Sequence, residues 1–242
     1  MGHDQLVVRE DPPGDDGEVV PERVRWWSTP TLAIVWHCWL PVERYAAHGR
    51  EIRVPRSRCP DCREEMVFWS GYWRYGREGG EHRLFIRRSC CQPCGRTHAL
   101  LPSFLLRRRL DSVWVIGRAV VLGVGGLGMG KVAAQMGVPH STARDWRRRH
   151  RARAPALVAG LAALRVELGD EVISLPGDPE QAALAALGAL WAPRQVVVEL
   201  WALASLVSGG AWLSTNTTPL WATLGDRRFM APMPPKPTQE VV

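Results

Sequence analysis

The chain is almost without lysine. Lys131 and Lys236 are its only two, although lysine and arginine together number 31 against 24 acidic residues, for a formal charge of +7. The excess is therefore carried by guanidinium groups, whose planar fork pairs bidentately with phosphate and with guanine edges. Net charge argues for a polyanionic partner and for solubility, not for a fold. A GC-rich genome produces the same arginine bias and is the larger cause of it, so only the placement of the arginines carries weight. The beginning of the sequence, MGHDQLVVREDPPGDDGEVVPERV, has no apolar stretch behind a basic start. We therefore expect no signal peptide and a cytoplasmic protein. Long hydrophobic runs are missing too: the nearest, Val196 to Leu213, carries Glu199 and is broken by Gly209 and Gly210. It reads as a buried core helix, and no membrane partner is expected. There is no internal repeat. In a reducing compartment, cysteines are expected as metal ligands sooner than as disulfides, and the chain has six to draw on.

What is present divides the chain by composition. Residues 1–24 are acidic and rich in Pro and Gly, which predicts a disordered tail. Residues 25–106 predict N-terminal strands and a small metal-bound β unit: one or two strands in RWWSTPTLAIVWHCWLPVERY, then two strand-like arms around the glycine turn of MVFWSGYWRYGREGGEHRLFIRRS. Residues 107–154 switch to helical periodicity, over Leu110 to Leu122, Gly130 or Lys131 to Met136, and His140 to Arg153. Residues 155–230 predict a helical C-terminal region: ALVAGLAALRVELG with a stop at Gly169, then PGDPEQAALAALGALW with Asp178 as N-cap and Pro179 at the first helical position, then a helix from Arg194 to Ser208. The proline-rich residues 231–242 predict a second disordered tail. The fold class expected is α+β: a β zinc ribbon, a tri-helical helix-turn-helix and a helical C-terminal region.

Cys59-Pro-Asp-Cys62 and Cys91-Gln-Pro-Cys94 form two C-x2-C pairs at the ends of the predicted hairpin. Two intervening residues let one tight turn aim both thiolates at a single ion, and two such turns complete a tetrahedral S4 site. Soft thiolates select zinc, and a closed shell leaves no position for a substrate water, so the Zn2+ expected here is structural. Gly95 suits the turn after the second pair because it tolerates positive φ, whereas the first pair has Arg63 at that place. Either Cys90 or Cys91 can serve as the third ligand, and the spacing favours Cys91. Cys38 reads as a buried free thiol, and His98 lies outside the turn.

In VAAQMGVPHSTARDW, Ala133 permits close helix approach, Gly137 permits a turn, and Met136, Val138 and Trp146 are spaced to close a shared core. That is the pattern of a unit presenting its last helix to the major groove of double-stranded DNA. On that helix Arg144, Arg147, Arg148 and Arg151 fall on one stripe, where like charges repel unless a polyanion faces them. His140, Ser141, Thr142, Arg144 and Asp145 occupy the end that reaches base edges, and the later arginines meet phosphates. Asp145 would orient a neighbouring arginine or accept from cytosine. The competing interpretation is a solvated basic helix.

CCQPCGRTHALLPSFLL, Cys90 to Leu106, followed by VPHSTARDWRRR, resembles a family of bacterial transposase-like zinc-ribbon and helix-turn-helix proteins with a domain of unknown function, associated with insertion sequences. The resemblance spans Arg53 to Arg153. LPGDP, Leu175 to Pro179, and SGGAWLSTNTTPLW, Ser208 to Trp221, look like further family features. It implies DNA binding tied to a mobile element, not transposase chemistry, which needs carboxylates converging from a strand scaffold onto two metal ions. Asp170, Glu171, Asp178, Glu180, Glu199 and Asp226 lie in helical or loop sequence and read as caps and solvated faces. The expectation is a non-enzymatic, sequence-specific DNA-binding protein, a transcriptional regulator or transposition accessory, whose C-terminal helices serve a homodimer or partner protein. The alternatives are the DNA-binding part of a degenerate or split transposase, and a protein-interaction module with a solvated basic helix.

Overall fold

The computed structural model describes residues 33–213 of the chain. The tails expected at 1–24 and 231–242, Asp226, and the segment beyond Leu213 lie outside the described residues.

The order of elements is β1 (Ala33–Trp36), α1 (Val42–His48), β2 (Val67–Arg77), β3 (Glu81–Cys90), β4 (Thr97–Pro102), α2 (Val113–Val124), α3 (Met129–Met136), α4 (His140–Glu167), α5 (Pro179–Trp191) and α6 (Leu200–Val207). The architecture is mixed α+β, with one four-stranded sheet ordered β1-β4-β3-β2. The aromatic and β-branched arms predicted around the Gly79-Gly80 turn form the β2–β3 hairpin. The sheet then goes beyond a two-armed ribbon: β4 adds antiparallel to β3, and β1 closes the far edge in parallel with β4. Only four residues of the 25–45 stretch pair as a described strand; Val42–His48 is a helix instead, starting after Pro41. Its Tyr45 is buried against the sheet and donates from its hydroxyl to the Phe85 carbonyl at 2.8 Å.

The helical half shares its core with the sheet. Leu84 and Ile86 of β3 and Leu100 of β4 belong to the same cluster as Ile116, Trp146, Leu157 and Leu203. Ser205 on α6 donates to the Leu105 carbonyl at 2.7 Å, satisfying a buried acceptor. Helix α2 begins at Ser112, whose hydroxyl caps the Val115 N–H. Helices α2, α3 and α4 pack on one another. Between α3 and α4, Gly137 takes φ +64°, and Val138 N–H reaches back to Ala133 O at 3.1 Å. That left-handed closure is the reason a glycine stands there.

Two expectations need correction. The helix predicted to end at Arg153 and the one predicted after Ala154 are a single 28-residue helix, α4, with Pro155 inside it. Ala143, Trp146, His150, Ala154, Leu157, Leu161 and Leu164 make one uninterrupted buried stripe along it. Burial of that stripe, at about 25 cal/mol per Å2, overrides the interior proline. Pro155 itself is exposed, and the carbonyl it leaves without a donor belongs to Arg151, also an exposed residue. The domain boundary expected at 154/155 therefore falls inside a helix. The second correction is the Arg194–Ser208 helix, which is shorter: α6 covers Leu200–Val207 after a turn of 3-10 helix at 192–194. Asp178 caps α5 as expected, accepting from Gln181 N–H at 2.9 Å. No helix among the described residues is long and apolar enough to cross a membrane.

Candidate functional site

Each C-x2-C pair sits on its own tight turn, and the two turns are near copies. Cys59 N–H donates to Glu64 O and Arg63 N–H to Cys59 O, at 2.8 and 2.9 Å. Cys91 N–H donates to Arg96 O and Gly95 N–H to Cys91 O, both at 2.8 Å. The turn needs positive φ at its fifth residue: Gly95 supplies +69°, and Arg63 adopts +68° despite its side chain. The departure seen in the sequence thus leaves the geometry intact and carries local backbone strain of about 1 kcal/mol.

The sulfurs of Cys59, Cys62, Cys91 and Cys94 all lie within 4.8 Å of one another. Cys59 to Cys94 is 3.6 Å and Cys62 to Cys91 is 3.2 Å. Four thiolates about 2.3 Å from a common ion would stand about 3.8 Å apart, so this quartet can hold a metal ion without rebuilding. Of the two candidates for the third position, Cys91 joins the quartet, while the Cys90 sulfur approaches the Cys91 carbonyl at 3.8 Å. His98 Nε2 is 3.9 Å from the Cys59 sulfur, buried beside the quartet rather than in it. Burial pushes the Cys59 and Cys91 thiols up, whereas the Glu64 N–H pulls Cys62 down. Such a group does not ionise evenly by itself; a cation would favour all four thiolates. Cys38 is a buried free cysteine, its pKa raised to about 11 by burial.

The residues expected to meet DNA are gathered at the start of α4 and along it, with unequal surroundings. His140, Ser141 and Arg144 are exposed, and Thr142 is half-buried. Trp146 is in the core, as its spacing predicted. Asp145 accepts from Arg148 and Arg149 at 2.5 Å each, so it orients neighbouring arginines. Burial alone would raise its carboxyl, but these two guanidinium groups outweigh that and hold it below its ordinary value. Arg148 remains 74% exposed in this pair.

Arg147 and Arg151 turn toward α5. Both pair with Glu180, at 3.4 and 3.0 Å, and the Glu180 side chain is only 7% exposed. Glu180 is therefore not on a solvated face, as its sequence context suggested: it is a buried anion at the first turn of α5, clamped by two cations 29 and 33 residues earlier. Arg147 is 25% exposed, which makes it first a brace between helices. Arg151 stays 66% exposed, and its guanidinium reaches solvent while paired.

Sequence reasoning did not single out the surface that α4 faces. The start of α4 lines a cleft of about 600 Å3 with Arg77, Arg108, Arg109 and Asp111 on its other wall. The signal was there as the consecutive Arg107-Arg108-Arg109. What the run could not convey is that the end of β2 clamps it beside α4, through Arg77 N–H to Leu110 O at 2.8 Å and Ser112 N–H to Arg77 O at 3.0 Å.

Residues 59–146, from the first cysteine of the quartet to the buried tryptophan of α4, match a family described as a domain of unknown function (DUF6431). No curated protein and no solved structure matches the chain. The matched segment runs from the thiol site through the first residues of α4 and stops before Arg147, Arg148 and Arg151. The match carries no stated activity and no link to transposition.

Proposed function

We propose that the protein binds double-stranded DNA sequence-specifically and is braced by a structural zinc ion, acting as a transcriptional regulator or a transposition accessory without an enzymatic step of its own. The single observation that carries this reading is the start of α4: Arg144 is exposed and has no acidic partner among the described residues, beside the hydroxyls of Ser141 and Thr142 and the mostly exposed Arg148. Helices α2, α3 and α4, with the Gly137 turn between the last two, are read as a tri-helical helix-turn-helix, whose final helix enters the major groove. His140, Ser141, Thr142 and Arg144 would approach base edges. Asp145 keeps Arg148 extended toward the groove, and Arg151 offers its solvated side to phosphate. The four cysteines would hold the zinc ion, which pins the two ends of the β2–β3 hairpin together and so steadies the sheet that the Arg107–Arg109 segment rests on. A homodimer or partner protein through the C-terminal helices would supply paired half-sites.

The pairing of Arg147 and Arg151 with Glu180 favours a second reading, a protein-interaction module whose helix α4 is basic for internal reasons. Salt dependence separates the two. Binding to duplex should weaken by roughly one order of magnitude per tenfold rise in salt for each phosphate neutralised. Selection from a random duplex pool with zinc-loaded protein is the deciding experiment. An enriched motif is the expected result; a pool that stays random, with no salt-dependent retention, refutes the reading. A DNA-binding part of a split transposase would enrich a motif too, and would differ by requiring a separate catalytic chain.

A further inference from the structure

A second basic cleft, of about 390 Å3, lies on the sheet and shares only Arg108 with the cleft at the start of α4. Its floor follows one row across the strands: Ala33 pairs with Ala99, and Ala99 with Arg88. Cross-strand partners point to the same face, so the two alanines leave the floor low between longer side chains. Arg74 and Arg88 rise from the strands, and Arg107 and Arg108 form the wall. Four guanidinium groups therefore share one concavity, and no carboxylate lies within ion-pair distance of any of them among the described residues.

What these groups do touch is neutral. Arg74 donates to the Arg109 carbonyl, and Arg88 donates to the Thr97 hydroxyl at 3.0 Å and stands over the Trp69 ring. Burial lowers the pKa of Arg74 and, together with the like charge of Arg108, that of Arg107. These cations have given up hydration without gaining an anion, an arrangement that is unfavourable until one arrives. The wall is also set in an unusual backbone. Arg108 has φ +57°, and the loop is pinned on both sides by Arg107 N–H to Gly210 O at 2.8 Å and Arg109 N–H to Leu106 O at 3.3 Å. Strained backbone that the surroundings hold in place is a mark of functional geometry. Arg108 also lines the cleft at the start of α4, so the two concavities share a wall.

We propose that the cleft ringed by Arg74, Arg88, Arg107 and Arg108 is a phosphate-binding site that takes the sugar-phosphate backbone of the duplex whose groove α4 enters. This rests on the DNA reading and extends it from a helix to a surface: base edges at α4, backbone at the sheet. The charges are arranged for phosphodiesters, which need density of cations and no base-specific donors.

The test uses the full zinc-loaded chain with Arg107→Gln, and with Arg108→Gln as the variant least able to disturb folding, since Arg108 is exposed. Binding of a labelled duplex is followed over a salt series. Each variant is expected to weaken all duplexes alike and to reduce the log-affinity against log-salt slope by about 0.9 per lost phosphate contact. Unchanged slope and affinity in both variants, while Arg144→Ala still alters duplex preference, overturns the cleft and leaves the DNA reading standing. Should the wild-type chain bind no duplex, the DNA reading fails, and calorimetry with inorganic pyrophosphate decides the cleft separately. Binding that Arg107→Gln abolishes supports an anion site; no binding removes it.

Discussion

The two arginine-rich surfaces of this protein are built to different rules. Along α4, four of the guanidinium groups are answered inside the chain, Arg147 and Arg151 by Glu180 and Arg148 and Arg149 by Asp145. Around the sheet cleft, Arg74, Arg88, Arg107 and Arg108 pair with no carboxylate among the described residues, and the hydrogen bonds of Arg74 and Arg88 go to neutral oxygens. The first surface is pre-organised and partly neutralised, suited to holding a few side chains in fixed poses. The second keeps its field unspent. Charge counted along the sequence would rank the helix above the cleft, whereas the pairing leaves the cleft with more guanidinium groups that have no carboxylate among the described residues, and leaves Arg144 in that state on the helix.

The comparison is most severely tested by disrupting the cysteine quartet and the metal ion proposed for it. Cys94→Ser, or chelation, should release the hairpin and with it the floor of the cleft. The binding free energy coupled to folding in small thiolate zinc units is on the order of 10 kcal/mol. We expect lost metal stoichiometry and lost amide protection in β2 and β3, with far-ultraviolet helical signal retained by α4 and α5. An unchanged metal content would refute the ligand set.

Glu180→Ala comes next. It leaves two arginines facing a buried seam and should lower stability by about 2 kcal/mol, less than the 3–5 kcal/mol for a fully enclosed pair because Arg151 is mostly solvated. Thermal unfolding measures it. If the pairing restrains the helix charges, the same change should steepen the salt dependence of duplex binding; a shallower dependence would argue that the pair positions rather than restrains.

Arg144→Ala should cost about 1–3 kcal/mol of discrimination between duplexes while leaving the melting temperature in place. Variants of Arg107 should do the reverse and weaken all duplexes alike. Identical profiles for the two would erase the distinction between a reading surface and a backbone surface.

The smallest effect concerns His150, buried on α4 against Trp212 with ring centroids 6.2 Å apart. Burial lowers its pKa below the ordinary histidine value. The unfolded chain therefore binds a proton that the folded chain refuses, and stability falls as pH drops below about 6.5. His150→Gln should flatten that part of the pH–stability curve.

Local chemistry made much of this legible. The two cysteine turns close through hydrogen bonds within five residues, so spacing alone announced them, and the Asp178 cap is complete within three. The Gly137 turn was readable for the same reason. The continuity of α4 through Pro155 was not, because the apolar stripe that overrides the proline draws its partners from α2, α3 and α5. Nor was the role of Glu180, one acidic residue among several until α5 folds back onto α4.

The amino-acid order by itself determined the two cysteine turns, the helix periodicity and which residues stand at the start of α4, since each depends on covalent neighbours a few positions apart; that the two turns meet, 29 and 35 residues apart, came with the fold. Only the tertiary structure decided which arginines are paired with a carboxylate and which, among the described residues, are not. Electrostatic energy depends on distance and desolvation, and a carboxylate thirty residues away in sequence becomes the nearest charge only after the chain has folded.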